Sequence, residues 1–330
     1  MNSLSIRRVI WMSIIGALLL SHVAAAKEAT FRREEQVIYG RKDGLAMTMD
    51  VFTPAVDANG IGIVATVSGG WFSGQQVLKS DVGRLPSFFN GQIQELLSRG
   101  YTVFAVVHGS QPKYTIPEIR EDMHRAVRYI RHKAEKYEID PQRIGIFGGS
   151  AGGHLSLMQG TAGTEGDANA EDPVDRKSSR VQAVISYYPP TDFLNYGAAD
   201  GYFDKYIREL LNGRNPFLSA IDFHDRNDDT GLIERVEGEA EIRRRLADNS
   251  PVNHVSKDDP PTLIIHGDAD QLVPIQQATL IMAKFKEAGV TASLKTMPGK
   301  QHGWVAEADE LSLFADWFEQ HLLKDADAEP

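Results

Sequence analysis

A mostly parallel, twisted α/β sheet with helices on both faces is the fold class this sequence predicts, and three observations predict it. Apolar runs recur without in-and-out alternation, as strands buried on both faces do. Segments of helical periodicity separate them. One run, Arg143-Ile144-Gly145-Ile146-Phe147, leads into Gly148-Gly149-Ser150-Ala151-Gly152 and then into Gly153-His154-Leu155-Ser156-Leu157-Met158. That is a strand, a glycine-flanked serine and a helix start, in that order. With 330 residues, 42% of them apolar, the chain can bury a large core.

The elements follow in chain order. Residues 34–39 and 46–53 read as an antiparallel edge hairpin around Arg41-Lys42-Asp43-Gly44. Residues 61–67 form a continuous apolar strand ending in Ser68-Gly69-Gly70-Trp71. A helix over 88–98 stops at Gly100, and residues 101–107 form the next buried strand. Pro117 begins a helix that runs to Tyr137, with Ile119, Met123, Ala126, Val127 and Ile130 on one face. After the serine turn and its helix come strands over 181–188, 262–266 and 292–297. Residues 161–180, rich in Gly, Asp, Glu and Ser, read as a surface loop. Residues 192–249 carry Phe193, Tyr196, Tyr202, Phe203, Tyr206, Phe217 and Phe223 between two core strands. They read as a helical cap over the strand ends, the alternative being an excursion away from them.

The N-terminus reads separately. Arg7 and Arg8 precede an apolar run over 9–20, and Ala24-Ala25-Ala26 supplies a small-residue cleavage site before Lys27. Residues 1–26 therefore read as a secretory signal peptide, with an uncleaved anchor as the alternative, and 27–330 as one domain bearing the cap insertion. A secreted or periplasmic protein is expected, with no membrane association after cleavage. Loss of Arg7 and Arg8, the only charges before Lys27, takes the formal charge from −10 to −12. Such acidity argues against a nucleic-acid partner. The sequence has no cysteine, which excludes disulfides, thiolate metal sites and a cysteine nucleophile.

In a parallel sheet, functional groups gather beyond the carboxyl ends of the strands. Ser150 stands at one such end, and the strand over 262–266 runs into Gly267-Asp268-Ala269-Asp270 at another. The last strand runs into Pro298-Gly299-Lys300-Gln301-His302-Gly303-Trp304. Ser150, Asp270 and His302 thus form a candidate nucleophile, acid and base, with Asp270 preceding His302 by 32 residues, room for a helix and a strand. Asp268 and Asp192 are rival acids, and Asp268 otherwise supports its loop. The backbone N–H groups of Ala151, Gly70 and Trp71 are candidate oxyanion donors. His108 ends its strand on the same rim, where it contacts substrate or steadies its loop. Asp122 reads as structural. The histidines are scattered, Asp268-x-Asp270 lacks the other ligands of a calcium loop, and no G-x-G-x-x-G opens a Rossmann unit, so neither metal nor cofactor is expected.

With these residues in place, the chain from about residue 60 onward resembles an α/β-hydrolase of the esterase and lipase type. It is most similar to the branch of feruloyl and acetyl xylan esterases, beside the hormone-sensitive-lipase-like esterases. Tyr137-Glu138-Ile139-Asp140-Pro141 through His154, Ser186-Tyr187-Tyr188-Pro189-Pro190-Thr191-Asp192, Ser250-Pro251-Val252-Asn253-His254-Val255 and residues 260–304 carry the likeness. The resemblance implies the order Ser, Asp, His, a serine ester hydrolase, and a small-molecule or polysaccharide-linked ester as substrate. Ser68 departs from the pattern, since these esterases usually carry histidine there. So does Val107-His108-Gly109-Ser110, where asparagine or tyrosine followed by arginine is common. Trp71 and His108 are expected to narrow the acyl side, and Tyr202, Phe203 and Tyr206 to meet the alcohol. A prolyl-oligopeptidase-type peptidase is the alternative, although little more than a hairpin precedes the first core strand. A binding protein on the same fold is a third reading, disfavoured by the intact Ser, Asp and His.

Overall fold

Asp43 and Gly44 both hold positive φ, 49° and 78°, so the chain reverses within two residues. Strand β1 (Phe31–Lys42) thereby pairs antiparallel with β2 (Leu45–Pro54). The computed structural model describes residues 31–323 except 56, 80, 83–84 and 87–88, with only the backbone described at 81–82 and 85–86. The expected signal peptide, residues 1–26, and the expected helix start at Phe88 lie outside the described residues.

The main sheet continues with β3 (Gly62–Val67), β4 (Thr102–Val107), β5 (Ile144–Gly149), β6 (Ala183–Tyr187), β7 (Thr262–Gly267) and β8 (Ala292–Met297). Its spatial order is β1-β2-β4-β3-β5-β6-β7-β8. Only β1 with β2 and β2 with β4 pair antiparallel; every later neighbour is parallel. Helices α1 (Asn90–Ser98) and α7 (Ala308–Phe318) cover one face, where Phe314 packs edge-on against Phe147 at 5.0 Å. Helices α2 (Ile116–His132), α3 (Ala151–Thr161) and α6 (Gln276–Ala288) contribute to the core on the other face. This is the doubly covered sheet that the unbroken apolar runs demand.

Two expectations need correction. The second helix ends at His132, not Tyr137, because its continuation tightens into single-turn bonds such as Tyr137 N–H to Ala134 O (3.2 Å) that return the chain toward β5. The last strand is not buried on both faces: β8 is an edge strand whose side chains alternate in exposure. Residues 162–182 contain no regular element, and Arg125 clamps that loop through Asp172 and Asp175.

Between β6 and β7 the chain leaves the sheet, forming α4 (Phe203–Leu210), a small hairpin and α5 (Glu239–Asp248) before it returns. Among the described residues no helix is long and apolar enough to cross a membrane.

Candidate active site

Parallel register decides what meets at the strand ends. Gly149 lies beside Tyr187, Ile265 beside Tyr187, Gly267 beside Met297 and Val67 beside Val107. The residues just past these positions therefore share one edge of the sheet. Ser150 follows Gly149 at φ +55° and ψ −123°, a conformation that destabilises a non-glycine residue by about 1–3 kcal/mol. Its neighbours hold it there: Ser150 N–H donates to Tyr187 O (2.9 Å), and Ser150 O accepts from His154 N–H (2.9 Å). The flanking glycines permit the close approach. A Cβ on Gly148 would lie 2.4 Å from Gly152 O, and one on Gly152 would lie 2.9 Å from Thr66 O.

His302 Nε2 lies 2.9 Å from Ser150 Oγ, and His302 Nδ1 lies 2.7 Å from Asp270 Oδ2. The Asp270 side chain is fully buried, and its other oxygen accepts N–H bonds from Leu272 and Val273 at 2.9 Å each. Both carboxylate oxygens are thus satisfied, Oδ1 by the two backbone groups and Oδ2 by His302 Nδ1–H. Behind it, His266 Nε2–H donates to Val273 O (2.8 Å), and burial depresses its pKa below the ordinary histidine value. The rival acids serve turns. Asp268 Oδ1 accepts from Gly299 N–H (2.6 Å), while Asp192 accepts from Leu194 and Asn195 N–H and from the Asn195 side chain. Asp122 bridges Lys42 and Gly109 N–H.

Beyond β3, Gly70 and Trp71 take consecutive positive φ values of 56° and 61°. Their carbonyls are both tied to Gln111: Gly70 O accepts from the Gln111 side chain and Trp71 O from Gln111 N–H at 3.2 Å. In a planar trans peptide C=O and N–H oppose one another, so this anchor turns the Trp71 N–H away from Gln111. Ala151, first residue of α3, has an N–H without an acceptor one turn back in the helix. Gly70, Trp71, Ser150 and Ala151 line one cavity together with Tyr196, Phe203, Ile207 and Phe217 from the segment between β6 and β7. Its free volume is about 20 Å³, little more than a water molecule or methyl group occupies.

Several sequence expectations change here. His108 does not line this cavity: it is buried, and its Nδ1–H donates to Gly109 O (2.6 Å), so it steadies its own loop. Phe203 packs on Trp71 inside the cavity (5.8 Å between rings). Tyr202 turns away to stack under Arg243 and line a separate hollow, and Tyr206 donates to Gln271 O (2.7 Å). Gln111 is a residue that sequence reasoning misses, its only signal being its place just after the β4 end. Tyr188 is another; its ring meets His302 edge-on at 4.8 Å.

Trp71 Nε1–H donates to His154 Nδ1 (3.3 Å), and His154 Nε2–H donates to Asn249 O (2.8 Å). That pair of bonds requires a neutral imidazole. Burial lowers His154 to about 4, and does the same to His108 and His124. All three are neutral in both states above pH 6.5, so their full contribution to stability is present there. As pH falls from 6.5 toward 4 the unfolded chain takes up protons that the folded one refuses, and stability is lost. We expect Tm to fall measurably between pH 6.5 and 5, above the carboxylate range, with net proton uptake on unfolding at pH 5. A flat Tm by scanning calorimetry across that window would contradict this.

Residues 49–285 match the BD-FAE family, and residues 244–327 match the dienelactone hydrolase family. The probable carboxylic ester hydrolase LipM of Mycobacterium tuberculosis is 30% identical over 195 residues, 57% of this chain and 39% of that protein. Esterase LipQ of the same organism is 27% identical over 219 residues, 64% of this chain and 46% of that protein. The chain thus spans less than half the length of these two curated relatives. A truncated carbohydrate esterase from gut microbiota superposes with a TM-score of 0.69 at 25% identity, covering 90% of this chain and 99% of that one. The acetyl ester-xyloside bifunctional hydrolase of Caldicellulosiruptor lactoaceticus shares the fold, with a TM-score of 0.65 at 24% identity over 86% of this chain and 95% of that one. The fold is that of the α/β-hydrolases, and the chain belongs to the BD-FAE family.

Proposed function

We propose that this protein is an exported serine carboxylic ester hydrolase acting on short-chain acyl esters, carbohydrate-linked ones among them. The observation that carries the reading is the hydrogen-bonded line from Ser150 Oγ through His302 to the buried Asp270 carboxylate. In this mechanism His302 Nε2 takes the Ser150 proton as Oγ attacks the ester carbonyl. Backbone N–H groups of Ala151 and of the Gly70-Trp71 turn receive the developing oxyanion. Collapse breaks the bond to the alcohol oxygen, to which His302 returns the proton. Water then gives a proton to His302 and attacks the acyl-enzyme, and on collapse His302 passes that proton to Ser150 Oγ as the bond to the acyl carbon breaks and the acid leaves. The likeness to proteins named as esterases supports the reaction class.

The small cavity sets the acyl length. Each further methylene would gain about 0.8 kcal/mol by burial, but only where space exists. Here Trp71, Phe203 and Phe217 line a space of only about 20 Å³. We expect kcat/KM for p-nitrophenyl acetate and butyrate to exceed that for the octanoate by at least about tenfold, since overpacking destabilises by about 1–3 kcal/mol. Proline p-nitroanilides should be turned over far more slowly than the short esters. A kcat/KM that climbs steadily to decanoyl would refute the small pocket, and turnover of the anilides without the esters would favour a peptidase.

A further inference from the structure

The peptide between Gly70 and Trp71 has two orientations open to it, and the protein holds one of them. Gly69 N–H donates to Phe72 O and Phe72 N–H donates to Gly69 O, at 3.0 Å each, so Gly70 and Trp71 are the central residues of a tight hairpin turn. With both φ values positive, at 56° and 61°, the turn is of type I′. Turning the central peptide over changes only ψ of Gly70 and φ of Trp71. It leaves the two Gly69–Phe72 bonds and the Trp71 indole in place and gives a type II′ turn, the other form that hairpins favour. Glycine at the first central position admits both.

The local preference runs against the form observed. Positive φ destabilises a residue as bulky as tryptophan, and the turned-over form would return Trp71 to negative φ. It would also exchange the places of Gly70 O and Trp71 N–H, which oppose one another across the peptide. An acceptor would then stand where the oxyanion needs a donor.

What opposes this exchange comes from outside the turn. The Gln111 side-chain amide donates to Gly70 O, and Gln111 N–H donates to Trp71 O (3.2 Å). Gln111 is only 3% exposed, so an amide N–H that lost Gly70 O would find little water in its place. Its backbone is laced to the far side of the turn: Ser110 Oγ donates to Gln111 O (2.9 Å) and accepts from Ser73 N–H (3.3 Å). His108 N–H donates to Ser73 Oγ (3.2 Å).

We propose that Gln111 is a positioning residue whose side-chain amide selects the type I′ form, so that Trp71 N–H and not Gly70 O faces the oxyanion. This rests on the ester-hydrolase reading, in which that N–H is one of the donors. Gln111 does not line the cavity at Ser150; it acts through the peptide it holds.

Gln111→Met keeps the length of the side chain and removes the donor. On p-nitrophenyl acetate we expect kcat to fall about a hundredfold, the scale of one oxyanion donor, with KM within about threefold and Tm within a few degrees. A short-chain trifluoromethyl ketone, which Ser150 converts to a tetrahedral oxyanion, should lose affinity by the same factor as kcat. A crystal structure of the variant should show Trp71 at negative φ. Gln111→Asn, whose amide falls one methylene short of Gly70 O, should behave alike and reports even where Gln111→Met fails to fold. Ser110→Ala, which loosens the same loop but keeps the amide, should hold kcat within about threefold. Loss in Ser110→Ala as large as in Gln111→Met would overturn the proposal, and so would Trp71 remaining at positive φ in the variant. Full turnover in Gln111→Met or Gln111→Asn would overturn it while leaving an ester hydrolase in place, whereas an unaltered protein that hydrolyses no ester would overturn the ester-hydrolase reading itself.

Discussion

Ser150→Ala is expected to lower kcat by on the order of 10⁶-fold, the scale seen when a serine nucleophile is removed from such a unit. The folded state should survive it. Alanine adopts the strained φ of +55° no less readily than serine, and the backbone bonds to Tyr187 and His154 that hold the turn do not involve the side chain. Only the 2.9 Å contact between Oγ and His302 is lost, a change of about 1 kcal/mol. Labelling by a fluorophosphonate should therefore vanish while Tm stays within a few degrees. Labelling that persists in the variant would place the nucleophile elsewhere, and a collapse of Tm would make the activity loss uninformative about chemistry.

The sheet was legible because its strands announce themselves. Residues 144–149, 183–187 and 262–267 are mostly apolar, are buried along their whole length and are separated by helical stretches, as strands of a doubly covered parallel sheet are. The grouping of Ser150, Asp270 and His302 was legible for the same reason: each stands just past a strand end, and parallel register brings those ends to one edge. What depends on side-chain direction was not legible. His108 stands past a strand end as well, yet its ring folds back onto Gly109 O. Chain order cannot distinguish a ring that turns inward from one that faces the rim. Gln111 escaped notice because its role is to hold two carbonyls of a distant loop, a contact that spans about forty residues and leaves no local pattern. In the segment between β6 and β7, Phe203 and Tyr202 are adjacent in sequence and face different hollows, as successive residues at a helix start do.

The choice between carboxylates is the sharper test of the site, because three aspartates stand near the same strand ends. Asp270→Asn is expected to lower kcat by on the order of 10⁴-fold, as removal of the acid from such a triad does. The amide keeps the size and can still accept from Leu272 and Val273 N–H through its oxygen. It then presents an NH₂ group to His302 Nδ1, which drives the imidazole into the tautomer whose Nε2 carries the proton and cannot accept one from Ser150. The negative charge that would stabilise the imidazolium is lost at the same time, in a site where the carboxylate is fully buried. Asp192→Asn and Asp268→Asn should behave differently. The acceptor oxygen each presents to backbone N–H groups remains in the amide, so their turns persist and kcat should fall by less than about tenfold. A tenfold step corresponds to about 1.4 kcal/mol, and the expected gap between Asp270 and its rivals is about three such steps. Steady-state kinetics on p-nitrophenyl acetate for the three variants decides the matter. If Asp192→Asn proved the more damaging, the acid partner of His302 would stand after β6 and not after β7.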